Sequence, residues 1–360
     1  MPNSAGPFRK GEFVKAGFLA TAGFVLCAAA IHGALGDPFR LYASLRSEQL
    51  EVMDRLQGSS FSSAFGSSHV HNGFDPATFD RGMAGTPAQS STENMAIPGG
   101  SQVEQRATAL EYLRSLHAPH ASPNGPKSCM VLLELGAGAN IGTMFMVHPR
   151  TINLYDWHGV RLVSELTDSQ LGRRRNMGRV VFAAAGSAMY YMNVGMVSNR
   201  IFKPDVDEET VKSLLANDRR GAELMSSDPR NQASLKRVFD SAPKVSQPVP
   251  TELEPGNYAL VDELRAASPV HPLAFVYVQM PMMADMESYP VYPDHLQSAG
   301  GPVPIINLAR PDVHPELYQL QYWHDDAHLN DHGAELATAI AANELKSWYA
   351  AHGWPSACKE

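Results

Sequence analysis

At 360 residues the chain is long enough for one large domain or two ordinary ones, and 44% hydrophobic against 18% charged residues supports a real core and excludes wholesale disorder. A formal net charge of −8 excludes the basic surface expected of a nucleic-acid binder. The three cysteines, Cys27, Cys129 and Cys358, match neither a metal-ligand spacing nor a dense disulfide framework; with Cys27 inside an apolar segment, Cys129 and Cys358 are the one pair left that could form.

The chain opens with Arg9, Lys10 and Lys15, and then Ala16–Leu35 is apolar apart from Thr21 and His32. About 20 such residues at 1.5 Å each span the hydrocarbon core of a bilayer. Cations ahead of the run predict a cytoplasmic tail (1–15), a single transmembrane anchor (16–35) in the cytoplasmic membrane, and an exported remainder (36–360) on the periplasmic or extracellular side. A cleaved signal peptide is the rival reading, although Ala34-Leu35-Gly36 offers a poor cleavage site.

Phe39–Gln57 reads as a helix leaving the membrane, with Leu41, Leu45, Leu50, Met53 and Leu56 close to helical spacing. Phe61–Phe65 then leads into Gly66-Ser67-Ser68, a polar turn, Phe74-Asp75-Pro76 and a short helix over Ala77–Arg81. Glycine before a serine lets the chain bend sharply, so that a hydroxyl projects from a strand end into a cleft. Gly82–Gly100 reads as loop, ending in Asn94 to Ser101, and Val103–Leu116 as an amphipathic helix. Glycines at a helix start leave backbone N–H groups able to face an anion, though a plain helix-starting turn explains Gly99-Gly100 equally well.

After the linker Ala118–Lys127, Met130–Leu135 is an apolar run broken by Glu134, as expected of a buried parallel strand. The following Gly136-Ala137-Gly138-Ala139-Asn140-Ile141-Gly142 has neither dinucleotide nor Walker A spacing, which excludes a nucleotide loop there. Asn140 instead stands where open α/β sheets place ligands, past a strand's carboxyl end. Residues 160–256 depart from this rhythm and are expected to form a helical insertion. It holds Arg173, Arg174, Arg175 and Arg179 before Val180–Val197, a helix-like Glu208–Ala216, and the proline-rich Ser246–Pro255, read as part of a lid. A core helix with a solvated basic turn is the simplest reading of the arginine cluster, and helices lying on a membrane surface the alternative. The α/β pattern resumes with a helix at Ala259–Ala267 and strands at His271–Met280 and Val303–Leu308. Trp323 to Gly333 then carries Asp325-x-x-His328 just before a helix marked by Leu336, Ile340, Ala341 and Leu345.

Gly66-Ser67-Ser68 with Gly73-Phe74-Asp75-Pro76, Asn94 to Ser101, and Asp325 to Asn330 resemble the SGNH (GDSL-like) hydrolase superfamily. More narrowly, the chain is similar to its membrane-anchored, exported bacterial members that act in polysaccharide O-acetylation and teichoic acid D-alanylation. The resemblance covers roughly Phe61–Gly142 and His271–Leu345. It implies a three-layer α/β/α domain with a short parallel sheet, with Ser68 as nucleophile, His328 as general base and Asp325 as its orienting group. It also implies an oxyanion hole from the N–H of Ser68, the N–H of Gly99 or Gly100, and the side chain of Asn140. Two departures stand out: Gly-Ser-Ser replaces Gly-Asp-Ser, as in the exported subgroup, and Ile141 replaces the Asp that commonly follows the Asn.

The expected function is therefore a serine-dependent acyl-ester hydrolase or O-acyltransferase, most simply for acetyl groups. Its partners would be an acylated carbohydrate or envelope polymer, a membrane-bound acyl-transfer protein, and the membrane through the N-terminal helix; nucleic acid is not among them. It needs no cofactor and no metal, since His324, Asp325 and His328 alone lack the further ligand spacing that a metal site demands. The alternative is a non-catalytic, membrane-anchored SGNH-like scaffold or glycan-binding protein in envelope-polymer assembly.

Overall fold

The computed structural model describes residues 10–35, 61–116, 129–136, 151, 154–165, 172–192, 225–227, 229–243, 245–268 and 273–356. In chain order these contain α1 (Lys10–Leu35), β1 (Phe61–Phe65), α2 (Ser68–Gly73), α3 (Pro76–Met83), β2 (Ser91–Asn94), α4 (Gln102–Leu116), β3 (Met130–Glu134), α5 (Trp157–Glu165) and α6 (Gly172–Tyr191). They continue with α7 (Pro229–Ser241), β4 (Gln247–Pro250), α8 (Pro255–Ala267), β5 (Ala274–Gln279), β6 (Ser288–Val291), β7 (His295–Ser298), β8 (Gly301–Asn307) and α9 (Asp331–His352). The helices expected at 39–57 and 208–216, the linker at 118–127 and the Asn140 block lie outside the described residues.

The protein is mixed α/β around a central sheet in the order β2-β1-β3-β5-β8-β7, parallel throughout except for the antiparallel β7–β8 pair. The largely apolar runs of β3, β5 and β8 follow from this arrangement, because a strand covered on both faces has no solvated side on which polar residues come without cost. Val131 and Leu133 of β3 share a buried cluster with Tyr112 and Leu113 of α4 and Leu260 and Leu264 of α8. Met130 and Leu132, pointing the other way, belong with Val70, Phe79, Ala337 and Ala341 from α2, α3 and α9. Arg106 of α4, itself buried, reaches Glu263 of α8 at 2.6 Å and Asp156 at 3.2 Å, fastening α4 to α8 and to the start of α5. Within the expected insertion, Leu162, Val163 and Ala183 join the same cluster as β3 and α4.

Three stretches differ from expectation. Ser91–Asn94 is an edge strand, not loop; its polar residues show no alternation, and it is held by backbone pairing with β1 from Phe61↔Ser91 to Ala64↔Asn94. Residues 68–73 form a helix in place of a polar turn, capped by the Ser67 side chain on the N–H of His69. Gln247–Pro250, read as proline-rich lid, is a strand pairing in parallel with β6 in a separate two-stranded sheet. Prolines fit there because an edge strand has a side with no N–H partner to supply.

The two ends of the chain meet through α9. Its buried face is built from Ala334, Ala337, Thr338, Ala341, Ala342 and Leu345, small enough for close approach to α3. A Cβ on Gly82 would lie 2.6 Å from that of Ala342, so glycine is required at that contact. The N–H of Asp75, which caps α3 through its carboxylate, donates to Thr338 Oγ1 at 2.9 Å across 263 positions. Cys129 is disulfide-bonded and Cys27 is free, while Cys358 lies outside the described residues.

α1 is long and apolar enough to cross a membrane over Val14–Ile31, none of it buried against the rest of the chain. At 1.5 Å per residue those 18 positions rise about 27 Å.

Asn94 fastens β2 to α2: its side-chain amide donates to the carbonyls of Val70 (2.9 Å) and Phe74 (3.1 Å), and its oxygen accepts from Ala96 N–H (3.1 Å). Asn94→Ala leaves these buried groups unpaired and should cost about 1–3 kcal/mol or more, measured as a lowered midpoint in urea denaturation.

Candidate active site

β1 lies between β2 on one side and β3 on the other, so strand order reverses at β1, and the carboxyl ends of strands at such a point open into a crevice. Ser68 sits there, three residues beyond Phe65 and at the first position of α2. Its N–H has no acceptor within the helix, being one of the first-turn donors.

His328 arrives from the segment before α9. Trp323, wholly buried with its indole N–H on the Leu317 carbonyl at 3.0 Å, anchors one side, and the Trp323–Leu329 bridge closes the segment into a narrow loop. Asp325 Oδ1 accepts the backbone N–H groups of Ala327 (2.9 Å) and His328 (2.8 Å), a local Asx turn that sets the three-residue spacing. Asn330 caps α9 by accepting from Gly333 N–H at 3.0 Å, while its amide donates to the Gln321 carbonyl at 2.7 Å.

In this geometry His328 Nε2 lies 2.8 Å from Ser68 Oγ, and His328 Nδ1 lies 2.9 Å and 3.0 Å from the two oxygens of Asp325. The three residues are partly exposed. Partial burial pushes the Asp325 carboxyl up, but hydrogen bonds from the His328 ring and the backbone N–H groups of Ala327 and His328 outweigh it and hold it below the usual range. Asp325 is thus ionised at neutral pH and favours the Nδ1–H tautomer of His328, which leaves Nε2 as an acceptor facing the Ser68 hydroxyl.

The turn Ile97-Pro98-Gly99-Gly100 packs against the same strand end: Ile97 N–H donates to the Gly66 carbonyl at 3.0 Å. Gly99 takes φ 63°, a conformation open to glycine, and Gly100 N–H closes the turn on the Ile97 carbonyl at 2.7 Å. Gly100 has therefore committed its amide, and of the two expected donors Gly99 keeps an unengaged one among the described residues. Asn140 lies outside the described residues.

The other histidines sort by their contacts. His71 is buried with Nδ1 3.2 Å from the Ala96 carbonyl, His324 Nδ1 is 2.6 Å from the Ser226 carbonyl, and His332 is exposed on α9. Among the described residues no group of three or more His, Cys, Asp or Glu side chains could hold a metal ion.

Two carboxylates near the site carried no role in the sequence reading. Glu134, at the end of β3, is 3% exposed and takes the N–H of Ser67, its hydroxyl (3.0 Å) and His69 Nδ1 (3.2 Å). Its acidic side chain within an apolar run was the available signal. Strand register sets it opposite Gly66, where a Cβ would lie 2.5 Å from Glu134 Oε2. Asp285 is buried behind the site, accepting from Met282 N–H at 2.6 Å and Tyr318 O–H at 2.9 Å. No protein-family model matches the chain, and no curated protein matches it.

Burial raises the Asp285 carboxyl to about 7, against the opposing pull of Met282, Tyr318 and His69. Because the folded value lies above the unfolded one of about 4, the folded state keeps a proton there that the unfolded chain releases. Its contribution to stability is full below about pH 4, declines as pH rises to about 7, and is constant above that. Asp285→Asn should remove this decline, so the melting temperature of the variant relative to wild type should climb between these limits and then level off.

Proposed function

We propose that the protein is a serine-dependent acyl-ester hydrolase or O-acyltransferase of the SGNH (GDSL-like) type, on a three-layer α/β/α domain. It acts on acyl groups such as acetyl carried by cell-envelope or extracellular carbohydrate. The observation that carries this reading is the continuous relay Ser68 Oγ–His328 Nε2, His328 Nδ1–Asp325, assembled from residues 260 positions apart. A serine hydroxyl is a poor nucleophile until a base takes its proton, and an imidazole held by a carboxylate is such a base.

In the reaction, Ser68 Oγ attacks the ester carbonyl as His328 Nε2 accepts its proton, while Asp325 stabilises the imidazolium. The N–H groups of Ser68 and Gly99 are the candidate donors to the oxyanion. A fixed donor of this kind is worth about 10²–10³ in rate in a known acyl-transfer enzyme. Departure of the alcohol leaves an acyl-Ser68, which water hydrolyses or a sugar hydroxyl accepts. The N-terminal helix fits a single-pass anchor in the cytoplasmic membrane, with the domain on the exported side near envelope polymers and a membrane-bound acyl donor. Arg9, Lys10 and Lys15, gathered toward its N-terminal end, support that orientation.

Purified protein should hydrolyse p-nitrophenyl acetate and be labelled at Ser68 by a fluorophosphonate, and Ser68→Ala should abolish both. Asp325→Asn, which disturbs the imidazole tautomer, should lower kcat by about 10⁴ by analogy with a serine protease triad. A folded protein that neither turns over ester nor takes the label would instead be a binding scaffold.

A further inference from the structure

A second histidine–carboxylate pair stands beside the first. His69, the residue after the nucleophile, lies with its ring centroid 5.5 Å from that of His328 and the ring planes at 31°. Its Nδ1 is held at 3.2 Å by Glu134 Oε1 and at 3.2 Å by Ser67 Oγ, and its side chain is 24% exposed. Among the described residues its Nε2 has no hydrogen-bond partner. An imidazole serving only to satisfy Glu134 has less reason to stay open to solvent, because Ser67 already gives that carboxylate two hydrogen bonds.

Resting on the triad reading above, we propose that His69, oriented by Glu134, is a separate general acid–base residue for the alcohol side of the reaction, while His328 serves Ser68. In acylation, Ser68 Oγ bonds to the acyl carbon and its proton passes to His328 Nε2. The bond from acyl carbon to alcohol oxygen breaks, and that oxygen takes a proton from His69 Nε2. In deacylation the flow reverses: the oxygen of water or of an acceptor sugar hydroxyl bonds to the acyl carbon as its proton passes to His69, the Ser68–acyl bond breaks, and Ser68 recovers its proton from His328. Both imidazoles end each cycle as they began, and no other reactant is required.

The first step needs His69 protonated at Nε2 with Nδ1–H directed at Glu134. Burial opposes the imidazolium, but the hydrogen bond to Glu134 and the charges of Glu134, Asp285 and Asp325 outweigh it and raise His69 above its ordinary value. The charged or titratable groups facing His69 are therefore Glu134 from β3, Asp285 from the turn after β5, and Asp325 and His328 from the loop before α9. Paired with Glu134, the imidazolium adds little net charge, so its contribution is a directed proton and not attraction of an anion.

Leaving-group dependence tests this. p-Nitrophenolate departs without a proton and an alkoxide does not, so His69→Gln should lower kcat/KM for ethyl acetate about 10²-fold more than for p-nitrophenyl acetate. Glu134→Gln removes a charge that raises His69 and should shift the alkaline limb of the ethyl acetate pH profile to lower pH. That second readout stands even if His69→Gln fails to fold, as checked by circular dichroism. Equal losses of His69→Gln on the two esters, or an unmoved limb in Glu134→Gln, would overturn the role of His69 and leave the triad standing. A wild-type protein inactive on both esters and unlabelled by fluorophosphonate would overturn the triad reading itself, and the role of His69 with it.

Discussion

The packing of α9 onto α2 and α3 is the constraint from which the candidate site follows. Ser68 begins α2, and His328 lies three residues before α9, so the 2.8 Å contact between them is set by how closely those helices approach. Alanines along α9, Gly82 on α3 and the hydrogen bond from Asp75 N–H to Thr338 make that approach tight. A larger side chain at Gly82 or Ala342 would act on the Ser68–His328 contact without touching it, by pushing the His328 loop away from β1. Packed interiors transmit such displacements because they have little room to absorb them.

A second constraint is the register of β1 against β3. Pairing Phe65 with Leu133 brings Gly66 opposite Glu134, and the absent side chain at Gly66 admits the carboxylate. Glu134 then holds Ser67, the cap of α2, and His69, the neighbour of Ser68. One buried acid thus orders both the helix that presents Ser68 and the imidazole beside it. With Asp285 behind and Asp325 to one side, the crevice at the end of β1 concentrates titratable groups in a setting that shifts several of them, as functional crevices tend to.

Legibility in the sequence followed the range of the interactions. β3, β5 and β8 could be read because burial on both faces favours a nearly continuous apolar run. The Asp325–His328 pairing could be read because an Asx turn fixes it within four residues. β2 could not, since a polar edge strand owes its existence to backbone bonds with β1 and carries no pattern of its own. α2 could not either: six residues, Ser-His-Val-His-Asn-Gly, contain no apolar periodicity, and the helix is held by its Ser67 cap and by Asn94 from β2. Glu134 was visible as an anomaly but not as a partner, because its neighbours Ser67 and His69 become neighbours only when two strands pair.

The sequence by itself determined the local units: the apolar helix near the N-terminus, the buried strands, the glycine bend into Ser68, and the Asp-x-x-His turn ahead of a capped helix. Each rests on chemistry within a few residues, where composition and spacing suffice. Only the tertiary structure decided that Ser68 meets His328, that among the described residues Gly99 and not Gly100 keeps an unengaged amide, and that His69 and Glu134 form a second pair beside the first. Those facts depend on strand register and helix packing over tens to hundreds of positions, and no short window of sequence carries them.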